Sequence, residues 1–318
     1  MKARKTVAVL PDSLPRVTGM DMYSVESRTP ASGRLTMGYR AFAFAPLALA
    51  LLSLPASSGE RAADGTSEAW PTIVQAHYSL RFNGIEVGHL EINSKTTAKT
   101  YSLSGSGKVS VLFGAITWSG SSSVSGTIER GVPAPSAYAF DWRQNKKGGT
   151  IRIGFTDGAA TGIDVKPLPR IKPDMVPLTP AHKAGALDPL SAVLMLTKAD
   201  SRPPCDRRVG IFDGKQRYDI VLTPKRVTRL PSSSGGGASE TAYVCRVMYE
   251  PVAGHRDNAD TKTYASNRDS EVVLRRIPGS EMLIPYSVMI PTGWGTGSMM
   301  TERIDIVTPA AGKIALTN

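Results

Sequence analysis

From Gln75 onward the chain alternates apolar and polar residues at a period of two, and backbone-reversing residues separate the alternating runs. Ala76, Tyr78, Leu80 and Phe82 share one face of the first run, while His77, Ser79, Arg81 and Asn83 share the other. That is the pattern of a strand with one buried side. Asn83-Gly84 follows, and both residues tolerate the positive φ of a tight hairpin. Ile85, Val87, Leu90 and Ile92 form the return strand, with Gly88 placed as a bulge. Tyr101 to Trp118 reads as two more strands. The Ser/Gly-rich stretch 119–126 reads as a strand at an edge or as a solvent-facing wall. Tyr138, Phe140 and Trp142 alternate, the polar run Gln144 to Gly149 turns the chain, and Ile151, Ile153 and Phe155 alternate back to Asp157-Gly158. Later strands are expected at Val209–Phe212, Arg217–Leu222, Arg226–Leu230, Ala242–Tyr249, Glu271–Ile277, Met282–Ile290 and Arg303–Val307. The fold class that follows is all-β and mainly antiparallel. A strongly curved sheet or open β-barrel is expected, because a flat sheet of about a dozen strands would curl or split.

One stretch breaks the period. Leu187 to Leu196 places Asp188 before Pro189, a capping residue followed by a residue with no N–H to leave unsatisfied. Leu190, Val193, Leu194 and Leu196 then recur at helical spacing, predicting one short central helix over 188–199. Four prolines between Pro167 and Pro177, with Pro180 just after, deny regular pairing to the segment before it. That segment either divides two subdomains or straps one continuous sheet. Ser232 to Ser239, with three consecutive glycines, reads as a flexible loop.

The first 58 residues have a different character. Ala41 to Leu54 is an apolar run preceded by Arg34 and Arg40 and followed by Pro55-Ala56-Ser57-Ser58. A basic flank, a short apolar core and small residues mark a signal peptide region over 1–58, with cleavage near Ser58 or Ala56. A start at Met37 or Met20 would make the leader compact. The expected division is then 1–58 for export, 72–308 for a single β domain, and 309–318 for a C-terminal tail. Of the net charge of +11, the chain beyond residue 58 carries +7, from 31 basic and 24 acidic groups. The basic residues are scattered, so the chain lacks the clustered stripe and recognisable module of a nucleic-acid binder. A modest positive surface suits anionic lipid headgroups or envelope polymers. Two cysteines in an exported chain predict a Cys205–Cys245 disulfide. Its closed loop would restrict the unfolded chain by about 3–4 kcal/mol.

Catalytic and metal motifs are missing from the sequence. There is no Gly-x-Ser-x-Gly elbow, no phosphate-binding loop of the right spacing, and no pair of closely spaced histidines among His77, His89, His182 and His255. No cofactor, metal ligand or catalytic residue is therefore assigned. Four side chains are candidates for anion or ligand contact: Arg207, Asp213, Arg217 and His255. Set against them are an ion pair of either arginine with Asp206 or Asp213 that fixes a turn, and an exposed loop histidine. The aromatic stripe Tyr138, Phe140 and Trp142 could line a cavity for an acyl chain, or serve as plain core.

Several short motifs occur in a recognisable order. Leu187-Asp188-Pro189-Leu190-Ser191-Ala192, Pro204-Cys205-Asp206-Arg207, Phe212-Asp213-Gly214, Arg217-Tyr218-Asp219, Cys245 and Ala253-Gly254-His255 resemble exported alphaproteobacterial proteins of the domain of unknown function 3108. Pro285-Tyr286 and Ile290-Pro291-Thr292 extend the resemblance, which covers most of 72–308. Lys225 to Ser239 looks like an insertion, and residues 1–36 lie outside the pattern. The resemblance implies a periplasmic β protein of a Gram-negative bacterium with no established activity and no catalytic residues to transfer. In architecture it also suggests the lipoprotein-carrier fold and disulfide-bearing β-spiral proteins of the envelope. The resulting expectation is a non-enzymatic periplasmic protein that binds an envelope lipid, an amphipathic small molecule or an envelope protein. The competing expectations are a hydrolase or transferase on envelope polymers, using His255, Asp213 and Arg217, and a structural subunit of an envelope complex.

Overall fold

The computed structural model describes residues 70–199, 203–231, 239–278, 280, 282–309 and 311–317. The expected signal region and most of the glycine loop (232–238) lie outside the described residues. The first half is a meander of β1 (Ile73–Phe82), β2 (Ile85–Thr96), β3 (Thr100–Val111), β4 (Ile116–Glu129), β5 (Val132–Gln144), β6 (Lys147–Thr156) and β7 (Ala159–Lys166). The proline-rich connector, with a 3-10 turn at Pro180–Lys183, leads into helix α1 (Pro189–Thr197). The chain continues through β8 (Arg207–Phe212), β9 (Arg217–Pro231), β10 (Ser239–Ala253), helix α2 (Ala259–Ser266), β11 (Glu271–Arg276), β12 (Leu283–Thr292), β13 (Gly295–Thr308) and β14 (Gly312–Thr317). All fourteen strands belong to one sheet in the order β7 to β1 and then β13 to β8, with β14 also pairing β13. The seam between the halves is the antiparallel β1–β13 ladder, from Ile73 opposite Val307 to Phe82 opposite Gly297.

The sheet curls into a nearly closed, barrel-like wall, and the connector joins its two edges. Gly185 N donates to Gly158 O (2.8 Å), beside a bridge between Ala184 and Ala159 at the start of β7. Two residues on, Leu187 N donates to Gly210 O (2.9 Å) and Leu187 O accepts from Phe212 N (2.8 Å) in β8. The connector is thus a strap across one sheet. It covers edge backbone groups that would otherwise offer a template to another chain.

Inside the curve lies α1. Asp188 caps it as expected, its Oδ1 accepting from Leu190 N (2.9 Å) and Ser191 N (3.0 Å). The helix does not bury a single stripe. Leu190 and Leu194 join the main core with Tyr101, Leu103, Val124, Tyr138, Ile151 and Ile153. Ala192 packs with Val209 and Ile211, and Leu196 reaches the cluster around the disulfide. A helix enclosed by a curved sheet meets apolar wall on several sides, so a one-face periodicity is not required of it.

Three expectations change, and one pair of alternatives is decided. The 119–126 stretch is a solvent-facing wall in mid-sheet, within β4 and between β3 and β5. Its outward serines pair with those of β3, Ser121 with Ser106 and Ser123 with Ser104, while Val124 and Trp118 face inward. Residues 217–222 and 226–230 form one strand, because a bulge at Pro224 and Lys225 opposite Cys245 carries the chain through; a bulge tolerates the missing proline N–H. The supposed tail is a strand, with Leu316 buried and Ile314 packed on the core. A second helix, α2, forms in a polar loop because Asn258 accepts from Thr261 N (3.0 Å).

The hairpin turns differ in cost. Asn83, Arg130, Asn145 and Asp157 take positive φ in polar turns, but in the β3–β4 turn Leu112 and Phe113 do so, at φ 52° and 53°. Left-handed backbone costs a non-glycine residue about 1–2 kcal/mol, and asparagine bears it more readily than these bulky side chains. Both are exposed.

Candidate functional site

The motif segments, scattered in sequence, meet at the N-terminal end of α1. Leu187 pairs with β8 through Gly210 and Phe212. The following turn is closed by Asp213, whose Oδ1 accepts from Lys215 N (2.8 Å) and Gln216 N (2.7 Å). Gly254 packs on that turn: at φ +79° a Cβ there would lie 2.2 Å from Lys215 O. The connector completes the assembly, with Gly254 N donating to Val176 O (2.8 Å) and Val176 N to His255 O (2.9 Å). Arg256 holds Asp174 through three contacts of 2.8–3.1 Å.

Polar groups collect around this point. Asp188 is fully buried and its Oδ2 has no hydrogen-bond partner among the described residues. Burial pushes its carboxyl above the usual range, offset in part by hydrogen bonding from Ser191 and Leu190. Burial likewise raises Asp213 against its two backbone donors. Tyr101 shares a 2.7 Å hydrogen bond with Ser191. Tyr249 donates to Gln216 Oε1 (3.1 Å) and sits 5.3 Å from Tyr218, ring to ring. Burial raises the Tyr138 and Tyr218 phenols, with Asp213 adding to both, and raises Tyr249 to about 12. The result is a packed lock on the helix start. Its carboxylates serve the backbone, which is the structural role for an Asp at a cap or Asx turn.

The sequence candidates therefore separate. Asp213 is a turn closer. Arg217 is half-buried and donates to Tyr218 O (2.6 Å) and to Asp219, so its ion-pair partner is neither Asp206 nor Asp213. Asp219 also accepts from Arg208 (2.8 Å), which reaches Glu250 at 2.5 Å. Burial opposes ionisation of Asp219, but the two guanidiniums hold its carboxyl below the ordinary range. Arg207 is buried at the start of β8. His255 is buried, not an exposed loop histidine; burial lowers its basicity, with Asp257 acting the other way. Cys205 and Cys245 form the expected disulfide, Cα–Cα 5.2 Å, and tie the approach to β8 to β10. Tyr138 belongs to the buried core, and Phe140 packs against it.

A second place assembles at the turn-bearing end of β2 to β5. An open groove of about 580 Å³ is lined by Val87, Val109 and Trp118 together with Lys108, Arg143 and His89. The Trp118 ring lies over the inner face, where a Cβ on Gly120 would be 2.6 Å from it and 3.1 Å from Phe140. Beside the groove, His89 Nε2 is 3.8 Å from Glu86 and Nδ1 is 3.8 Å from Glu302. The three offer ligand atoms within 4.8 Å of one another and are the group that could hold a divalent cation among the described residues. Two bulges create this cluster. Val87 is the extra residue opposite Leu80 and Arg81, and Glu302 the extra residue opposite His77 and Tyr78. Without the first, Glu86 and His89 would point to opposite faces. Sequence reading missed the groove and the cluster; the Gly88 bulge was its one signal.

Fold and lock together define a barrel-like antiparallel β protein closed around an interior helix. The family model described as "Protein of unknown function (DUF3108)" matches residues 77–301, and the chain belongs to that family. Among solved structures it is similar to the crystal structure of a beta-barrel-like protein of domain of unknown function DUF1849 from Brucella abortus. That similarity covers 75% of this chain and 99% of the other, at 10% identity and a TM-score of 0.48. No curated protein matches the chain significantly.

Proposed function

We propose that the protein is a non-enzymatic periplasmic component of the cell envelope that binds an anionic amphiphile in the groove beside Trp118. The observation that carries this reading is the lining of that groove. Val109 and Trp118 line it from inward positions of β3 and β4 and Val87 from the β2 bulge, while Lys108 and Arg143 line it from outward positions of β3 and β5. An apolar body with a few convergent polar groups is the usual make-up of a small-molecule site. The binding surface is thus shifted from the Tyr138–Phe140–Trp142 stripe, whose first member is spent on packing α1, to the neighbouring Trp118. Export is supported by the apolar run Ala41–Leu54 and by a disulfide, which persists in oxidising compartments.

The test is mass spectrometry of an organic extract of protein purified from its native envelope fraction. A species near one per protein is expected, and it should be lost from the Lys108→Glu/Arg143→Glu variant. An empty extract from folded, oxidised protein, together with no quenching of tryptophan fluorescence by a long-chain fatty acid, would sink the proposal.

A further inference from the structure

Six of the exposed large apolar side chains gather at one end of the sheet. Phe82 and Ile85 flank the β1–β2 turn, Leu112 and Phe113 occupy the β3–β4 turn, and Ile290 and Trp294 belong to the β12–β13 hairpin. The ladders place all three turns at the same end of the sheet: Phe82 lies opposite both Ile85 and Gly297, and Gly88 opposite Val109. Neighbouring turns are tied to each other. Asn83 Oδ1 accepts from Thr296 N (2.8 Å), and Asn145 Oδ1 accepts from Thr117 N (2.8 Å). Other exposed large apolar residues lie elsewhere, among them Val132 at the opposite end, Leu168 and Ile171 on the connector and Val227 on β9.

Chemistry beneath the β3–β4 and β5–β6 tips is basic, while Glu86 and Glu302 lie on the β2 and β13 side. Lys146 lies in the β5–β6 turn and Lys147 opens β6 next to Leu112–Phe113, with Lys108 and Arg143 one step down the strands; all four are exposed and make no ion pair among the described residues. Lower still, the outward faces of β3 and β4 are rows of serine. Apolar knobs, then a cationic collar, then a polar wall is the vertical order that a peripheral protein presents to a bilayer interface. The β3–β4 turn singles itself out, since it places two bulky, exposed apolar residues in left-handed backbone where the other turns place polar residues or glycine in that conformation.

We propose that this turn-bearing rim docks on an anionic lipid bilayer, with Leu112, Phe113 and Trp294 entering the headgroup–acyl boundary and Lys146 and Lys147 meeting the headgroups. The docking does not require the groove to be loaded. No helix among the described residues is long and apolar enough to span a membrane, and the serine rows are unlike the apolar band of a spanning barrel, so the contact is peripheral.

Co-sedimentation of the purified full chain with vesicles tests it, using mixed anionic and zwitterionic phospholipid against zwitterionic phospholipid alone. Wild type should bind the anionic vesicles and release as salt rises. Leu112→Asn combined with Phe113→Gly supplies residues the turn accepts more easily, so folding is retained while vesicle affinity falls by about ten-fold or more. Lys146→Glu with Lys147→Glu should lower affinity by roughly ten-fold or more, because each cation near an anionic surface is worth about five-fold. Trp118→Ala should empty the groove and leave vesicle binding intact, which separates this inference from the proposed ligand site. The inference is overturned if wild type ignores anionic vesicles, if the Leu112/Phe113 variant binds as wild type does, or if Trp118→Ala abolishes vesicle binding. It is also overturned if the tips instead mediate self-association that the Leu112/Phe113 variant removes.

Discussion

Asp188 offers the sharpest test of how the interior is held. Its Oδ1 serves two backbone donors at the start of α1, Leu190 N at 2.9 Å and Ser191 N at 3.0 Å, in a fully buried position. Asp188→Ala strands both donors away from water. A buried donor left unmet costs about 1–3 kcal/mol, and a typical N-cap loss costs about 1 kcal/mol, so the expected destabilisation is about 2–4 kcal/mol. With a urea m-value of about 3 kcal/mol/M for a chain of this size, the midpoint should fall by roughly 1 M. Asp188→Asn keeps the acceptor but removes a charge that burial penalises, and should cost less than about 1 kcal/mol at neutral pH. The two variants also differ in pH dependence. The folded carboxyl titrates above its ordinary 3.8, so at intermediate pH the folded chain holds a proton that the unfolded chain has lost. This group's contribution to stability is therefore greatest below 3.8 and declines as pH rises through the raised value. The asparagine variant should gain on wild type across that window. Urea titrations followed by tryptophan fluorescence, on oxidised protein at a series of pH values, read all of this. Equal losses for alanine and asparagine, or an asparagine-to-wild-type difference independent of pH, would refute the reasoning.

Three further outcomes are expected. Gly254→Ala should be strongly destabilising in thermal melts because its Cβ would meet Lys215 O at 2.2 Å, whereas Gly84→Ala, at φ +82° with nothing within 4 Å, should show only conformational strain of about 1–2 kcal/mol; similar losses at both sites would contradict the packing. Replacing Cys205 and Cys245 by serine should cost about 3–4 kcal/mol by denaturant titration, and peptide mapping of untreated protein should recover the two cysteines linked. For His255, burial lowers the folded pKa below 6.5, so its contribution to stability is present above 6.5 and lost as pH falls through the lowered value. A stability–pH slope in that window that persists in His255→Gln would assign it to another group.

Much of the wall was legible because alternation states both the strand and its buried face. Tyr78, Tyr138, Ile151 and Ile153 alternate by sequence and are buried in fact. Asp188-Pro189 announced the helix for the same local reason. What failed to show depends on partners remote in sequence or on a break in phase. Arg217 and Asp219 lie two apart on a strand and share a face, so their pairing was readable at period two, whereas Arg208 reaches Glu250 across another strand. The Glu86–His89–Glu302 cluster depends on two bulges that shift the phase by one residue, and alternation cannot foresee such a slip. Helix α2 is short and polar, leaving only the Asn258 cap as a sign. The convergence of the Leu187, Asp213 and Gly254 segments required the strap, whose prolines announced irregularity but not destination.

The β1–β13 seam has a consequence for synthesis. The strand that begins the domain finds one of its two neighbours only when residues 295–308 have been made. A chain that emerges N-terminus first therefore carries β1 with one flank bare through nearly the whole of its production. The meander can zip progressively from that strand, but the circuit stays broken until the closing strand arrives. During that interval the bare flank invites a strand from a neighbouring chain. Late truncations that remove β13 should thus be more hazardous than their small loss of mass suggests, yielding an adhesive half-wall instead of a slightly shortened protein.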